Sequence, residues 1–178
     1  EDTNQEASLE YPQETTLDIG KPILLIVEDN EEIQKYIAES FADSFEVLTA
    51  YNGEEGKQQA LNRIPDIVVS DIMMPVMDGI TLCRQLKEDV QTSHIPVILL
   101  TAKDSLQDKE EGYEVGADSY LTKPFSASLL RSRINNLLES RKKLITQFQT
   151  QSVPGNQADL REKRIVIAEA LSKLDNEF

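Results

Sequence analysis

The sequence holds a single cysteine, Cys83, so no disulfide can form within the chain and a reducing compartment is the default. Long apolar runs are missing too: none approaches the roughly 20 residues that a membrane-spanning helix needs. Residues 1–20 carry six acids and no lysine or arginine, the wrong flank for a signal peptide. No G-x-G-x-x-G follows the first apolar run, where "EDNEEI" stands instead, which excludes a dinucleotide-binding loop. A P-loop lysine motif and an ATP-binding glycine loop are absent as well. Cations are outnumbered, 18 against 32 acids, and the net charge of −14 argues against nucleic acid as a partner of this segment, since phosphate repels it. A metal ion or a basic protein surface suits that charge better.

What is present is alternation. Residues 1–20 are polar, acidic and aperiodic, and read as a disordered linker. From Lys21 the texture changes. "PILLIVED" is an apolar run ending in acids, and "NEEIQKYIAESF" puts Ile33, Tyr36, Ile37 and Phe41 at helical spacing. "FEVLTAY" reads as a strand, "GEEGKQQALNR" as a weak helix and "DIVVSD" as a strand. "ITLCRQLKED" is a helix with Leu82, Cys83 and Leu86 on one side, and "PVILLTAK" is a strand. "SLQDKEEGYEVGA" is a charged helix, "DSYLTKP" a short strand, and "SASLLRSRINNLLESRKKLITQFQ" a long amphipathic helix. Five strands alternating with five helices imply right-handed crossovers and an α/β, doubly wound, five-stranded parallel sheet covered on both faces.

In such sheets ligands bind beyond the carboxyl ends of the strands. Those ends supply Glu28 and Asp29, then Asp71, Thr101 and Lys123. Three acids, a hydroxyl and an ammonium would thus meet at one edge. Close carboxylates repel, and a hard divalent cation compensates them. Magnesium fits, because it takes oxygen ligands from a few carboxylates plus a phosphate. Lys123 and Thr101 would serve the remaining oxygens of a phosphoryl group.

"LLIVEDN", "VVSDIMMPVMDG", "VILLTAK" and "SYLTKPF" resemble the receiver domain of two-component response regulators. The resemblance covers residues 21–143 and implies a flavodoxin-like fold. It implies Asp71 as phosphoacceptor from a phosphohistidine kinase, with Asp29 on magnesium, Glu28 acting on it through water, and the backbone carbonyl of Met73 completing the protein ligands. Thr101 and Tyr120 match the switch positions, and Lys123 the phosphate-binding lysine. Glu28 departs from the frequent Asp. Phosphorylation would then change the face formed by the fourth helix, fifth strand and fifth helix. The Lys123–Pro124 peptide is expected to be cis, so that the lysine turns back toward Asp71.

Each residue alone has a plainer reading: a strand-end Asp is a helix cap, Glu28 a loop acid, Thr101 a strand end, Lys123 a surface cation, Tyr120 a core aromatic. The ordered set of five decides against that. His94 reads as a surface loop residue, Met73, Met74 and Met77 as loop packing, and Pro75 and Gly79 as residues that shape the loop and start the next helix. A haloacid-dehalogenase-type phosphatase would need a second acid where Met73 stands. The alternative function is a pseudo-receiver, never phosphorylated, that serves as a protein-interaction module.

Residues 144–178 exceed what a receiver needs and read as a helical extension and linker toward an output domain. Within them "SVPGNQ" is a linker by composition, and Leu160, Ile167, Leu171 and Leu174 recur at roughly helical spacing. "LSKLDNEF" resembles the approach to a helix-turn-helix DNA-binding output in hybrid sensor kinases. The expectation is a cytoplasmic receiver of a hybrid histidine kinase controlling transcription, with no membrane contact by this segment. Ile134, Leu137, Leu138, Leu144, Ile145 and Phe148 form an apolar stripe interrupted by Arg141. It suggests a parallel homodimer strengthened by phosphorylation, or an extension that folds back on its own domain.

Overall fold

The structure, a computed structural model, describes residues 20–102 and 106–150. The acidic linker, the "SVPGNQ" segment and the last apolar repeat lie outside the described residues. Five strands, β1 Ile23–Val27, β2 Glu46–Ala50, β3 Ile67–Asp71, β4 Val97–Thr101 and β5 Ser119–Thr122, alternate with five helices. The helices are α1 Glu31–Phe41, α2 Gly53–Arg63, α3 Gly79–Glu88, α4 Leu106–Glu114 and α5 Ala127–Thr150. All strand pairs are parallel, in the order β2-β1-β3-β4-β5. The order reverses direction between β1 and β3, and that is the crevice where doubly wound sheets bind ligands.

Strand periodicity explains the two-sided core. Leu24 and Ile26 face one side with Ile67, Val69, Ile98 and Leu100, against Ile37 and Phe41 of α1 and Leu130 and Ile134 of α5. Leu25, Val27, Val68 and Leu99 face the other, against Ala60 of α2 and Leu82, Cys83 and Leu86 of α3. Burial pushes the Cys83 thiol up to about 12, so it behaves as a small core side chain. Caps set the helix starts: Asn30 accepts from the Glu32 and Ile33 amides, Asn52 from Glu55, and Asp78 from Thr81.

Four details differ from the sequence reading. Tyr36 is 47% exposed, and Gln34 is buried on the inner face of α1. The Met73 side chain is 71% exposed and packs nothing, whereas Met74 and Met77 rest against the core. His94 is half-buried in the loop before β4. On α5, Leu144, Ile145 and Phe148 of the apolar stripe are half-buried. Arg141 turns onto the domain body, donating to the Asp66 carbonyl at 3.3 Å. The Lys123–Pro124 peptide is cis.

Candidate functional site

β1 delivers Glu28 and Asp29 to the crevice, and β3 delivers Asp71 from the adjacent strand. Carboxylate oxygens of these three residues lie within 4.8 Å of one another. Glu28 is fully buried and Asp71 is 8% exposed, while Asp29 is open to solvent. Lys123, one residue past β5, reaches both buried acids, at 2.9 Å from Glu28 Oε2 and 3.2 Å from Asp71 Oδ1. The Asn30 amide donates to Glu28 Oε1 at 3.1 Å, so both oxygens of that carboxylate are engaged.

The loop after β3 is shaped by close backbone approach. Gly79 begins α3 and donates its amide to the Ile72 carbonyl at 2.9 Å. A Cβ there would collide with the Asp71 carbonyl oxygen, so glycine is required. Gly53 donates to the Met77 carbonyl at 2.9 Å, and a Cβ there would lie 2.7 Å from Met77 Cγ. Val76 takes φ 68°, and the Met77 amide closes back on the Pro75 carbonyl at 2.8 Å around it.

The electrostatics follow from burial and an uneven charge count. Burial raises the pKa of Asp71 and of Glu28, against the lowering pull of Lys123 on each. Burial alone would lower the Lys123 pKa, but Glu28 and Asp71 outweigh it and the net shift is upward. The ammonium is therefore secure while the acids resist ionisation. Three hard oxygen donors with one shared lysine fit a small divalent cation such as magnesium. Among the described residues, the Ile72 amide and the Lys123 ammonium both meet the Asp71 carboxylate at Oδ1.

Thr101 ends β4, 1% exposed, with Oγ1 donating to the Ala102 carbonyl at 3.3 Å. Tyr120 lies on the neighbouring strand with its ring turned inward, 8% exposed, 4.5 Å from the Tyr113 ring. Among the described residues its buried hydroxyl has no hydrogen-bond partner, and burial drives its pKa far up. The ring fits because α4 carries Gly112 beside it, where any Cβ would strike the hydroxyl. Met73 sits two residues past Asp71 with its side chain in solvent.

Residues 24–135 match the response regulator receiver domain family. The chain belongs to it. The receiver is 43% identical over 128 residues to histidine kinase P4 of Formosa agariphila, covering 72% of this chain and 9% of that protein. It is 38% identical over 153 residues to response regulator PleD of Caulobacter vibrioides, covering 85% of this chain and 32% of that one. The chain thus spans a third or less of the length of these relatives. A solved signal receiver domain of a histidine kinase from Syntrophus aciditrophicus shares 34% identity at TM-score 0.63, covering 67% of this chain and 91% of that one. No helix among the receiver's described residues is long and apolar enough to cross a membrane.

The structure brings Glu28, Asp29, Asp71 and Lys123 into one cluster, with Thr101 ending the strand beside Asp71. Tyr120 is one strand further, already in the core. Sequence reading missed Gln34 and Gly112. An interior glycine in a helix, costing about 1 kcal/mol against alanine, was a usable signal for the second. A glutamine in a polar helix gave none for the first.

Proposed function

We propose that this receiver accepts a phosphoryl group on Asp71 in a magnesium-dependent step and passes the change to a downstream output. The cluster of three carboxylates around Lys123 carries the reading. Asp29, Asp71 and the Met73 backbone carbonyl would hold the ion directly, and Glu28 would act through water. A bound magnesium ion supplies charge neutralisation for the transferring phosphoryl oxygens. A carboxylate oxygen of Asp71 attacks phosphorus in line. The new O–P bond forms as the P–N bond to the donor histidine breaks, and the departing imidazole nitrogen takes up a proton. Lys123 holds a non-bridging oxygen by charge-assisted hydrogen bonding. Thr101 then turns its hydroxyl from the Ala102 carbonyl to the phosphoryl group, and the face of α4, β5 and α5 responds.

Intact-mass measurement after incubation with magnesium and acetyl phosphate tests this. The chain should gain one phosphoryl group and Asp71→Asn none; equal labelling of the variant overturns the assignment, and no labelling of the native chain favours the pseudo-receiver.

The same reading includes a donor kinase in the cytoplasm, a receiver unit of residues 21–143, and a longer parent chain of hybrid-kinase type controlling transcription. Support comes from the kinase relatives and from the transcriptional regulatory protein PhoP of Bacillus subtilis, 40% identical over 116 residues. The proposal extends to a phosphorylation-strengthened parallel dimer along α5. Its support is the apolar stripe on a 24-residue helix, about 36 Å long at 1.5 Å per residue. Sedimentation with and without beryllofluoride checks it; a monomer in both states ends it.

A further inference from the structure

Gln34 is polar, lies on an amphipathic helix, and is nevertheless only 7% exposed. A buried carboxamide is costly unless its hydrogen bonds are made. Gln34 Nε2 makes two, to the Glu28 carbonyl at 3.1 Å and to the Ala50 carbonyl at 3.0 Å. The Ala50 carbonyl also accepts the Glu28 amide at 3.0 Å. One side chain from α1 therefore ties the residue just after β1 to the last residue of β2, at the point where their ladder ends.

The bond to Glu28 matters beyond satisfying a carbonyl. That carbonyl belongs to the planar peptide joining Glu28 to Asp29, so fixing it fixes the orientation of the whole unit. Asp29 has no other anchor: among the described residues its carboxylate makes no hydrogen bond or ion pair. Asn30, next along, is already held by the Glu28 carboxylate and by its own cap of α1. The direction of the Asp29 side chain is thus set by a peptide pinned from behind by Gln34 and from ahead by Asn30. Without the Gln34 donors, the Glu28 carbonyl loses its partner and the peptide gains freedom to tilt, which would spread Asp29 from Asp71.

We propose that Gln34 is the positioning residue of the cation face, holding the Glu28–Asp29 peptide so that Asp29 and Asp71 present their oxygens to one divalent ion. This rests on the magnesium reading above and adds to it a residue that touches neither ion nor substrate. Groups behind metal ligands set affinity by fixing ligand direction, and their loss typically weakens binding by about 10–100-fold.

The test titrates the full chain with magnesium alone by calorimetry, comparing native protein with Gln34→Met, which keeps chain length and removes both donors. Ile37→Ala is the control, because Ile37 is a buried neighbour on α1 that packs into the core. Gln34→Met should bind magnesium about tenfold more weakly. Ile37→Ala should lower the melting temperature at least as much, yet keep its affinity within about twofold, because it leaves both Gln34 hydrogen bonds in place. Native affinity in Gln34→Met, or equal weakening in both variants, overturns the proposal. Should Gln34→Met not fold, the native chain still decides: the Gln34 side-chain amide signals should shift along the same magnesium isotherm as the Asp29 backbone amide, and unmoved signals overturn it. A native chain that binds no magnesium overturns the cation reading itself, a result distinct from a Gln34 that proves dispensable.

Discussion

At the amino edge of the sheet a mostly buried lysine and aspartate pair one to one, whereas at the carboxyl edge three acids share one lysine. Lys87, at the end of α3, meets Asp118 at 2.9 Å, and both side chains are 14% exposed. The same lysine donates to the Ile95 carbonyl at 3.0 Å, and the same aspartate accepts the Val97 amide at 2.8 Å. Asp66 accepts the Ile23 amide at 2.7 Å. These groups are matched to one another, and they hold this edge together. At the other edge burial raises the pKa of Glu28 and of Asp71, and Lys123, the one cation there among the described residues, offsets it only in part with the Asn30 and Ile72 amides. Such an imbalance opposes stability and makes this edge the candidate cation site.

The comparison breaks most sharply on two glycines. Gly20 enters the amino edge with open space around its missing side chain, while Gly79 abuts the Asp71 carbonyl oxygen. Gly79→Ala should lower stability by about 3 kcal/mol, the upper range for forcing volume into a tight backbone contact, and displace Asp71 from its partners. Gly20→Ala should leave stability unchanged. Urea unfolding of both variants measures the difference; a Gly79→Ala protein as stable as native would show that the loop after β3 gives way freely.

Two aspartates probe the charge contrast directly. Asp118→Asn leaves Lys87 short of its counter-charge in a mostly buried place and should cost about 2 kcal/mol, below the full penalty of a sealed pair because some solvent reaches it. Asp71→Asn removes one of three crowded acids and should stabilise the magnesium-free protein by about 1 kcal/mol. The pH dependence has a definite sign. A raised folded pKa means the folded chain holds its proton more firmly than the unfolded one, whose value is near 3.8 for Asp and 4.5 for Glu. Stability in chelator should therefore fall as pH climbs from those values through the raised ones. Asp71→Asn should flatten that fall. Parallel pH profiles for the two proteins, measured by urea unfolding, would place the repulsion elsewhere.

How much of this was legible in the sequence follows the same division. The strands read clearly because Ile67–Val69 and Val97–Leu100 are unbroken apolar runs, and the rule for strand ends then located Glu28, Asp29, Asp71, Thr101 and Lys123. Gln34 was illegible, since its value lies in two carbonyls supplied by strand ends six and sixteen positions away. Tyr36 was misjudged because helical spacing shows which residues share a stripe, not where the stripe stops. The partial burial along the α5 stripe was beyond reach because periodicity reveals an apolar face without its neighbours. The backbone at Val76 was beyond reach, since valine is among the residues least suited to positive φ.

That valine gives the finest test of the contrast. Val76 holds φ 68° and is 83% exposed, so no packing compensates its conformation. A side chain in the left-handed region costs roughly 1–2 kcal/mol, and branching at Cβ makes the fit worse. Glycine removes that cost but adds chain entropy to the unfolded state, about 0.5–1 kcal/mol in the opposite direction. The net expectation for Val76→Gly is a gain of about 0.5 kcal/mol. The gain belongs to the loop that carries Asp71, the edge where stability is given up, and it should come with unchanged magnesium affinity if the turn around Val76 keeps its shape. Urea unfolding and a magnesium titration of the one variant read both quantities. A loss of stability would show that the turn is unstrained, and the contrast between the edges would then rest on charge alone.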